Sequence, residues 1–166
     1  MNSKALEILK RFEGFRSEAY LCPSKVVTIG YGSTFYMDGS PVQMGDTITQ
    51  KDAEILLNKV VDDFKVNVKR LLPYTLPEDA VDAVVLLVYN IGLGAFTKST
   101  LLKRIKDDVK GFEAIETEWN KWVHSGKRVL PGLVKRRKEE FQLYKAAVLS
   151  QYTKSECYDL GRASKK

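Results

Sequence analysis

The chain has 166 residues, of which 44% are hydrophobic and 29% are charged. This balance fits one globular domain and excludes a chain that is disordered throughout. The 27 Lys and Arg residues exceed the 21 Asp and Glu residues, giving a formal net charge of +6. Such an excess favours polyanionic partners, among them nucleic acid, acidic membranes and the anionic bacterial cell wall, and charge alone does not choose among them.

The chain shows no targeting segment and no metal-site pattern. Its N-terminus has no apolar run of signal-peptide type, and no segment reaches the roughly 20 apolar residues that span a bilayer, so we expect a cytoplasmic protein without stable membrane insertion. Cys22 and Cys157 form neither a CxxC pair nor a disulfide framework. His124 is the only histidine, so a His-based triad or a multi-His metal site lacks its parts. We expect neither metal nor cofactor.

The first predicted elements are a helix and a small β lobe. Ser3 can cap the helix and Gly14 can end it, which places Glu13 on the last turn. The texture then changes to turn-forming and β-branched residues from Tyr20 to Tyr36. One strand is predicted there, and a second around residues 41–44 after an Asp-Gly turn signal. The residues of the first strand are Val26, Val27, Thr28, Ile29 and Tyr31.

The rest of the chain has helical spacing. Thr49 and Asp52 resemble a capping box that opens a long amphipathic helix reaching nearly to residue 73. Thr75 and Glu78 repeat that signature, with Pro77 in the first turn of a helix apolar enough to be buried. Further helices are predicted from residue 99, from residue 112 to near residue 126, and from residue 131 to about residue 148.

These elements predict a mainly helical α+β fold with a small N-terminal β lobe. A single domain is expected at residues 1–150, with the β lobe at about 20–46 and the helical lobe at about 49–150. Residues 151–166 are expected to be a surface extension with mobile final residues. Trp119 and Trp122 lie three residues apart on one helix face and are predicted to be core residues.

Glu13 is a candidate proton donor. Cleavage of a glycosidic bond needs an acid for the departing oxygen, and a second group that activates water or stabilises the transition state. The acid must hold its proton near neutral pH, which partial desolvation favours. Phe12 and Phe15 flank Glu13, as such a role requires. Taken locally, however, the residue fits a surface carboxylate paired with a nearby lysine better.

Motifs along the chain reverse that preference. Glu13, Cys22 and Thr28 have the spacing Glu, eight residues, Cys, five residues, Thr. The string that carries them, EGFRSEAYLCPSKVVTIGYGST, is followed by GDTIT at 45–49, VYNIGLGAFTKSTLL at 88–102 and VLPGLVKRRKEE at 129–140. In this order the motifs resemble the phage-type lysozymes, the endolysin family of muramidases. The resemblance covers about residues 3–148.

The resemblance implies a lysozyme-like helical bundle with a small β lobe and a substrate groove. The family hydrolyses the β-1,4 bond between N-acetylmuramic acid and N-acetylglucosamine in peptidoglycan, without metal or cofactor. Carried over by position, Glu13 would be the general acid, Cys22 would take the second catalytic position and Thr28 would orient the attacking water. The predicted partner is bacterial peptidoglycan, reached by a monomer that waits in the cytoplasm until a membrane pore releases it.

Four more residues are predicted to bind substrate. Gly30 and Gly32 would let a sugar approach the backbone of the β lobe, or would serve turn geometry alone. Tyr89 and Asn90 fall at the end of the buried helix, where Asn90 would hydrogen-bond an acetamido group or cap a helix. A guanidinium from the Arg136–Arg137 pair is expected near Glu13, and the sequence does not say which one.

Cys22 departs from the family members that carry Asp at this position. A free thiol with a pKa of about 8.5 is mostly protonated at neutral pH. The thiolate would act as base or nucleophile if its pKa is lowered, Thr28 and nearby backbone would position water without it, or a lytic transglycosylase reaction would dispense with water. Because Thr28 is retained, hydrolysis is preferred. A weak peptidoglycan-binding domain is the other alternative, while a nucleic-acid-binding protein would need a basic, aromatic-interleaved stripe that the sequence lacks.

Overall fold

The structure is a computed structural model that describes the backbone of residues 1–163 and the side chains of residues 1–153. Helices dominate, as the α+β prediction required. In chain order the elements are α1 (Ser3–Glu13), β1 (Arg16–Leu21), β2 (Val27–Gly30), α2 (Gln50–Leu71), α3 (Glu78–Ile91), α4 (Leu93–Thr97), α5 (Thr100–Asp107), α6 (Phe112–Trp119), β3 (His124–Ser125), β4 (Arg128–Val129) and α7 (Pro131–Ala163). Over this range, no helix has the length and apolar character needed to cross a membrane.

The chain folds as two units. The first, unit 1, contains Met1 and Ser3–Asp63, and the second, unit 2, contains Asn2 and the residues from Phe64 onward. The division therefore lies within the long helix α2.

Unit 1 combines α1, the N-terminal part of α2 up to Asp63 and the hairpin β1–β2. Helix α1 has the predicted bounds, and its buried face consists of Ala5, Ile8 and Leu9. Helix α2 begins directly after Thr49, whose hydroxyl oxygen accepts a hydrogen bond from the backbone N–H of Asp52 at 3.1 Å. The Thr49 hydroxyl donates in turn to the Asp52 carboxylate at 2.7 Å. The predicted cap is thus present, with Asp52 bonded to the Thr49 side chain.

The β lobe differs from the prediction in its strands. Strand β1 was not predicted, because the sequence of Arg16–Leu21 shows no alternation of polar and apolar residues; most of the residues are exposed. It pairs with β2 in antiparallel register, and the pairing is irregular between Arg16 and Tyr20. The predicted second strand at 41–44 is wrong: only an isolated bridge between Phe35 and Pro41 forms there. A proline cannot donate to a ladder, which limits pairing at this point.

Unit 2 is built around α3. Every residue from Ala80 to Val88 is buried, which confirms the prediction of a central helix. The predicted capping box at its start is wrong. Pro77 is the N-cap and no side chain caps the helix, while Glu78 forms ion pairs with Lys65 and Lys69. The Glu78 carboxylate is therefore engaged by two lysines and does not take part in a cap.

The remaining helices of unit 2 enclose an aromatic core. Helix α5 starts where predicted, and Ser99 caps it by accepting a hydrogen bond from the backbone N–H of Leu102. Trp119 is fully buried and contacts the rings of Phe141 and Tyr144. The core prediction is therefore confirmed for Trp119, whereas Trp122 is half-buried. Its helix ends at residue 119, earlier than predicted, because a short hairpin of β3 and β4 follows.

Helix α7 continues past Ser150 without a break. The Gln151 side-chain amide donates to the backbone carbonyl of Thr75 at 3.1 Å, and the Lys110 ammonium lies 3.6 Å from the centre of the Tyr152 ring. The start of the predicted extension therefore packs on unit 2. The predicted mobility of the final residues, 164–166, lies outside the described residues.

Candidate active site

Glu13 is the last residue of α1, and its side chain is half-buried. The helix ends because Gly14 adopts a left-handed φ of 71°, while its N–H still donates to the Lys10 carbonyl at 3.0 Å. Glycine takes this conformation without the steric penalty that a Cβ adds. The sequence thus folds locally so that Glu13 terminates a helix directly before the β lobe.

The nearest lysine on the same helix is engaged elsewhere. Lys10 Nζ donates to Glu54 Oε1 at 2.9 Å, which joins α1 to α2 within unit 1. This hydrogen bond is the main reason that the pKa of Lys10 is raised and that of Glu54 is lowered. Lys10 therefore has a carboxylate partner of its own within unit 1.

Cys22 and Thr28 come together in the hairpin β1–β2. Cys22 lies in the turn just after β1, where its backbone N–H donates to the Val26 carbonyl at 3.0 Å. Its sulfur lies 2.9 Å from the Ser24 hydroxyl oxygen, within hydrogen-bonding distance. Thr28 is on β2, opposite Tyr20, and is almost fully buried. The turn thus concentrates hydroxyl and backbone donors around one thiol.

These donors change the acidity of the thiol. The hydrogen bond with Ser24 contributes most, followed by the Val26 backbone, and together the donors lower the pKa of Cys22 from an ordinary 9.0 to about 7. The Thr28 hydroxyl adds a smaller contribution in the same direction. A thiolate accepts hydrogen bonds more strongly than a thiol does, so each donor favours the ionised form. The lowered pKa therefore favours the thiolate of Cys22 at neutral pH more than in an ordinary cysteine.

The Thr28 hydroxyl has one proton and two possible acceptors. With Cys22 as a thiol, it donates to the Val26 carbonyl at 3.0 Å. The thiolate is the alternative acceptor, in keeping with the contribution of Thr28 to the Cys22 pKa. In either orientation the oxygen of Thr28 keeps acceptor capacity for a water O–H.

The two glycines of the motif differ in their surroundings. Gly30 is buried at φ 65°, and a Cβ placed on it would lie 2.9 Å from the Cβ of Ala53 in α2. Glycine is therefore required there by packing and by backbone conformation. Gly32 is exposed at φ 98°, in the turn that follows β2. The substrate-binding role of both residues stays a prediction.

Tyr89 and Asn90 lie in unit 2, on the last turn of α3. Tyr89 is half-buried, with its ring centre 5.6 Å from that of Phe64. Asn90 is exposed, and its side-chain oxygen accepts a hydrogen bond from Arg137 Nη2 at 3.1 Å. Asn90, which the sequence predicted to bind substrate, is therefore hydrogen-bonded to an arginine that belongs to a cluster of ion pairs.

That cluster is centred on Glu140, which sequence analysis did not identify. Glu140, Arg136 and Arg137 are all buried. Glu140 Oε1 accepts from Arg136 Nε at 2.9 Å and from Arg137 Nη2 at 3.0 Å. Its Oε2 accepts from the Trp119 indole at 3.2 Å and lies 3.0 Å from Arg137 Nε. Both predicted arginines thus share one buried carboxylate, which we call the Glu140 cluster.

Burial raises the pKa of Glu140, and the charges of Arg137 and Arg136 oppose that rise. Two guanidinium groups and an indole N–H around one carboxylate match the requirement that a buried charge be paired and hydrogen-bonded. The Glu140 carboxylate is therefore the shared partner of both arginines.

Sequence analysis missed Ser24 and Glu140, although the spacing of each residue from its partners was visible in the sequence. Ser24 follows Cys22 by two residues in a Cys-Pro-Ser turn, a spacing at which a hydroxyl reaches a neighbouring side chain. Glu140 follows Arg136 by four residues and Arg137 by three, the spacings of ion pairs on a helix. For a metal, the described residues offer no group of three or more His, Cys, Asp or Glu side chains.

Comparison with known proteins identifies the class. Residues 10–140 match the phage lysozyme family. The chain is 38% identical over 149 residues to an endolysin of Acyrthosiphon pisum secondary endosymbiont phage 1, covering 89% of this chain and 99% of that one. It is similar to the solved endolysin of Escherichia coli O157:H7 phage FAHEc1, with a TM-score of 0.76, 34% identity and coverage of 86% and 91%. A solved variant of P22 lysozyme gives a TM-score of 0.75 at 32% identity, covering 87% and 97%.

The fold is that of a lysozyme, and the class of enzyme is a glycosidase. The chain belongs to the phage lysozyme family. This confirms the resemblance read from the motifs, and the mainly helical fold with a small β lobe that it implied.

Proposed function

We propose that this member of the phage lysozyme family hydrolyses the β-1,4 bond between N-acetylmuramic acid and N-acetylglucosamine in peptidoglycan, with Glu13 as the general acid. The observation that carries the proposal lies within unit 1. A half-buried glutamate ends α1, and the hairpin that follows holds a thiol of lowered pKa beside a threonine hydroxyl. This supplies an acid and a candidate base in one folded unit.

In the first step, Glu13 donates its proton to the glycosidic oxygen while the bond from that oxygen to C1 of the sugar breaks. Positive charge then develops on C1 and the ring oxygen. Partial burial of the Glu13 side chain suits this role, because it reduces competition from solvent for the transferred proton.

In the second step, a water molecule attacks C1. The Thr28 oxygen accepts one O–H of that water and orients it, and the Cys22 thiolate takes the proton that the water loses. Exchange of protons with solvent then returns Glu13 to its acid form and Cys22 to its thiolate. A base whose pKa lies near the working pH is the most effective, and the pKa of about 7 at Cys22 meets that condition.

The lytic transglycosylase alternative differs in the attacking oxygen. There the muramic acid 6-hydroxyl attacks C1 of its own ring, which leaves a 1,6-anhydro end and needs no water. Thr28 has acceptor capacity suited to water, and it stands beside an ionisable thiol. These two features favour hydrolysis.

Conversion of Glu13 to Gln tests the acid assignment. Glu13→Gln keeps the shape and removes the proton, so lysis of outer-membrane-stripped bacteria should fall by at least about a hundredfold. The measurement is the initial rate of turbidity loss, with thermal unfolding as the check on folding. A folded variant that keeps most of its activity contradicts the mechanism.

Mass spectrometry of peptidoglycan digested by the parent enzyme tests the reaction type. Hydrolysis leaves reducing N-acetylmuramic acid ends, whereas 1,6-anhydro ends would show transglycosylation. Binding without any cleavage product would mean a peptidoglycan-binding domain instead.

The partner, the domain bounds and the oligomeric state complete the proposal. A net charge of +6 draws the protein to the anionic wall in preference to nucleic acid, for which the chain has no basic stripe with interleaved aromatic residues. Residues 1–150 serve as the catalytic domain and 151–166 as an extension. The enzyme acts as a monomer on its extended polymer, after release from the cytoplasm.

A further inference from the structure

The orientation of the Asn90 amide is fixed by chemistry. Arginine has only N–H donors, so the group that faces Arg137 must be the amide oxygen of Asn90. The Asn90 NH₂ group then points away from that contact, on a side chain that is exposed to solvent. Asn90 therefore presents two donors at the surface, with its acceptor occupied.

The Glu140 cluster holds the arginine that sets this orientation. Arg137 Nη2 donates to Glu140 Oε1 at 3.0 Å and to Asn90 Oδ1 at 3.1 Å. Glu140 is itself held by the Trp119 indole and by Arg136. A planar guanidinium fixed by a buried carboxylate has little freedom to rotate. Its contact with Asn90 is therefore preorganised.

A buried cluster of this kind is not explained by stability alone. Replacing buried ion pairs with apolar residues of similar volume is often neutral or stabilising, which leaves room for a role of this cluster in specificity. Here the cluster ends at an exposed amide on the last turn of α3. Ordering that amide before substrate arrives reduces the entropy lost on binding.

We propose that Glu140 is a positioning residue that acts through Arg137, fixing Asn90 as a hydrogen-bond donor to a substrate carbonyl oxygen. The acetamido groups of the glycan supply such oxygens. The inference rests on the proposed function, because it requires a glycan substrate. It adds that Asn90 is the hydrogen-bond donor in this contact and that Glu140 fixes its orientation.

Asn90→Asp tests whether residue 90 acts on the substrate as a hydrogen-bond donor or as an acceptor. The carboxylate can still accept from Arg137, so folding should be retained, but both N–H donors are lost. We expect the KM for solubilised glycan strands to rise roughly three- to tenfold, from the loss of one hydrogen bond. The matched control is Asn58→Asp, the same change at an exposed position of α2. It should change neither KM nor kcat.

A double-mutant cycle tests the positioning role. If Glu140 acts on the substrate through Asn90, Glu140→Gln should raise KM in the parent and should have no further effect on KM in Asn90→Ala. If Glu140→Gln does not unfold cooperatively, Arg137→Lys is the second test variant. A lysine ammonium lacks the planar guanidinium geometry with which Arg137 contacts both Glu140 and Asn90.

The outcomes are distinct. A KM unchanged by Asn90→Asp overturns the donor assignment, and an effect of Glu140→Gln that persists in Asn90→Ala overturns the positioning role. Normal turnover by the parent in either case leaves the proposed function standing. A parent that neither binds nor cleaves the glycan overturns both.

Discussion

Cys22 and Glu140 are polar groups in opposite surroundings. Cys22 lies in a surface turn of unit 1, where hydroxyl and backbone donors surround its sulfur. Glu140 is fully buried in unit 2 between two guanidinium groups and an indole. The thiol changes its charge near neutral pH, whereas the carboxylate is bonded on both oxygens. In the proposed mechanism Cys22 exchanges a proton during turnover, and the Glu140 cluster is proposed to hold Asn90 in place.

Because Cys22 is near the surface and Glu140 is buried, substitutions at these two residues should affect activity and stability differently. Removing a group near the surface leaves solvent to satisfy its former partners, so the fold loses little. Removing one member of a buried ion cluster leaves charges without compensation. Substitutions at the two centres should therefore have opposite signatures in unfolding and in turnover.

The largest effect is expected from Glu140→Ala. It leaves two buried guanidinium groups without their carboxylate, and we expect the free energy of unfolding to fall by about 3–5 kcal/mol. Urea-induced unfolding followed by circular dichroism measures this change.

Gln142→Ala is the matched control, an exposed side chain two residues farther along α7. It should change the free energy of unfolding by less than about 0.5 kcal/mol. Equal effects of the two substitutions would mean that the Glu140 cluster does not stabilise the fold.

Much of the fold follows from local pattern. Helices α1 and α2 were predicted nearly to the residue, because apolar spacing and capping residues act within a few positions. Strand β1 was not predicted, since its sequence has no polar–apolar alternation and its pairing with β2 depends on contacts that no local pattern records. Strands β3 and β4 have two residues each, too short for any periodicity.

The candidate site was predictable to a different extent. Glu13, Cys22 and Thr28 came from their spacing and from the family resemblance, and their catalytic roles remain predictions. The effect of Ser24 on the Cys22 pKa depends on a turn geometry that one sequence does not give. The spacing of Glu140 from two arginines was visible, but the burial that makes this pairing strong was not.

Substitutions of Cys22 give the second largest effect, on turnover alone. If the thiolate is the base, Cys22→Ala should slow lysis by about a hundredfold. Cys22→Ser should behave alike, because a hydroxyl is a poor base at neutral pH, and Cys22→Asp should retain substantial activity. The free energy of unfolding should stay within about 0.5 kcal/mol of the parent in all three.

Initial rates of lysis and urea unfolding, measured on the same preparations, test whether the Cys22 thiolate is the base. A Cys22→Ala enzyme as active as the parent would make the thiol a spacer and leave Thr28 to position water without it.

The smallest effect is a change in acidity. In a chain made single-thiol by Cys157→Ser, the rate of Cys22 alkylation by iodoacetamide should rise with pH around a midpoint near 7, because only the thiolate reacts. Ser24→Ala removes the largest contribution to the lowered pKa, so the midpoint should move up, toward the ordinary value of a thiol. The Val26 backbone and Thr28 continue to favour the thiolate, which makes the shift partial.

Ser24→Thr keeps the hydroxyl and is the matched control, with a midpoint close to that of the parent. At pH 7, alkylation of Ser24→Ala should be slower than that of Ser24→Thr, and the two rates should converge above the ordinary pKa of a thiol. Identical profiles for both variants would show that Ser24 does not control the acidity of Cys22. The backbone of the turn would then be the origin of the lowered pKa, and a catalytic thiolate would depend on the hairpin conformation itself.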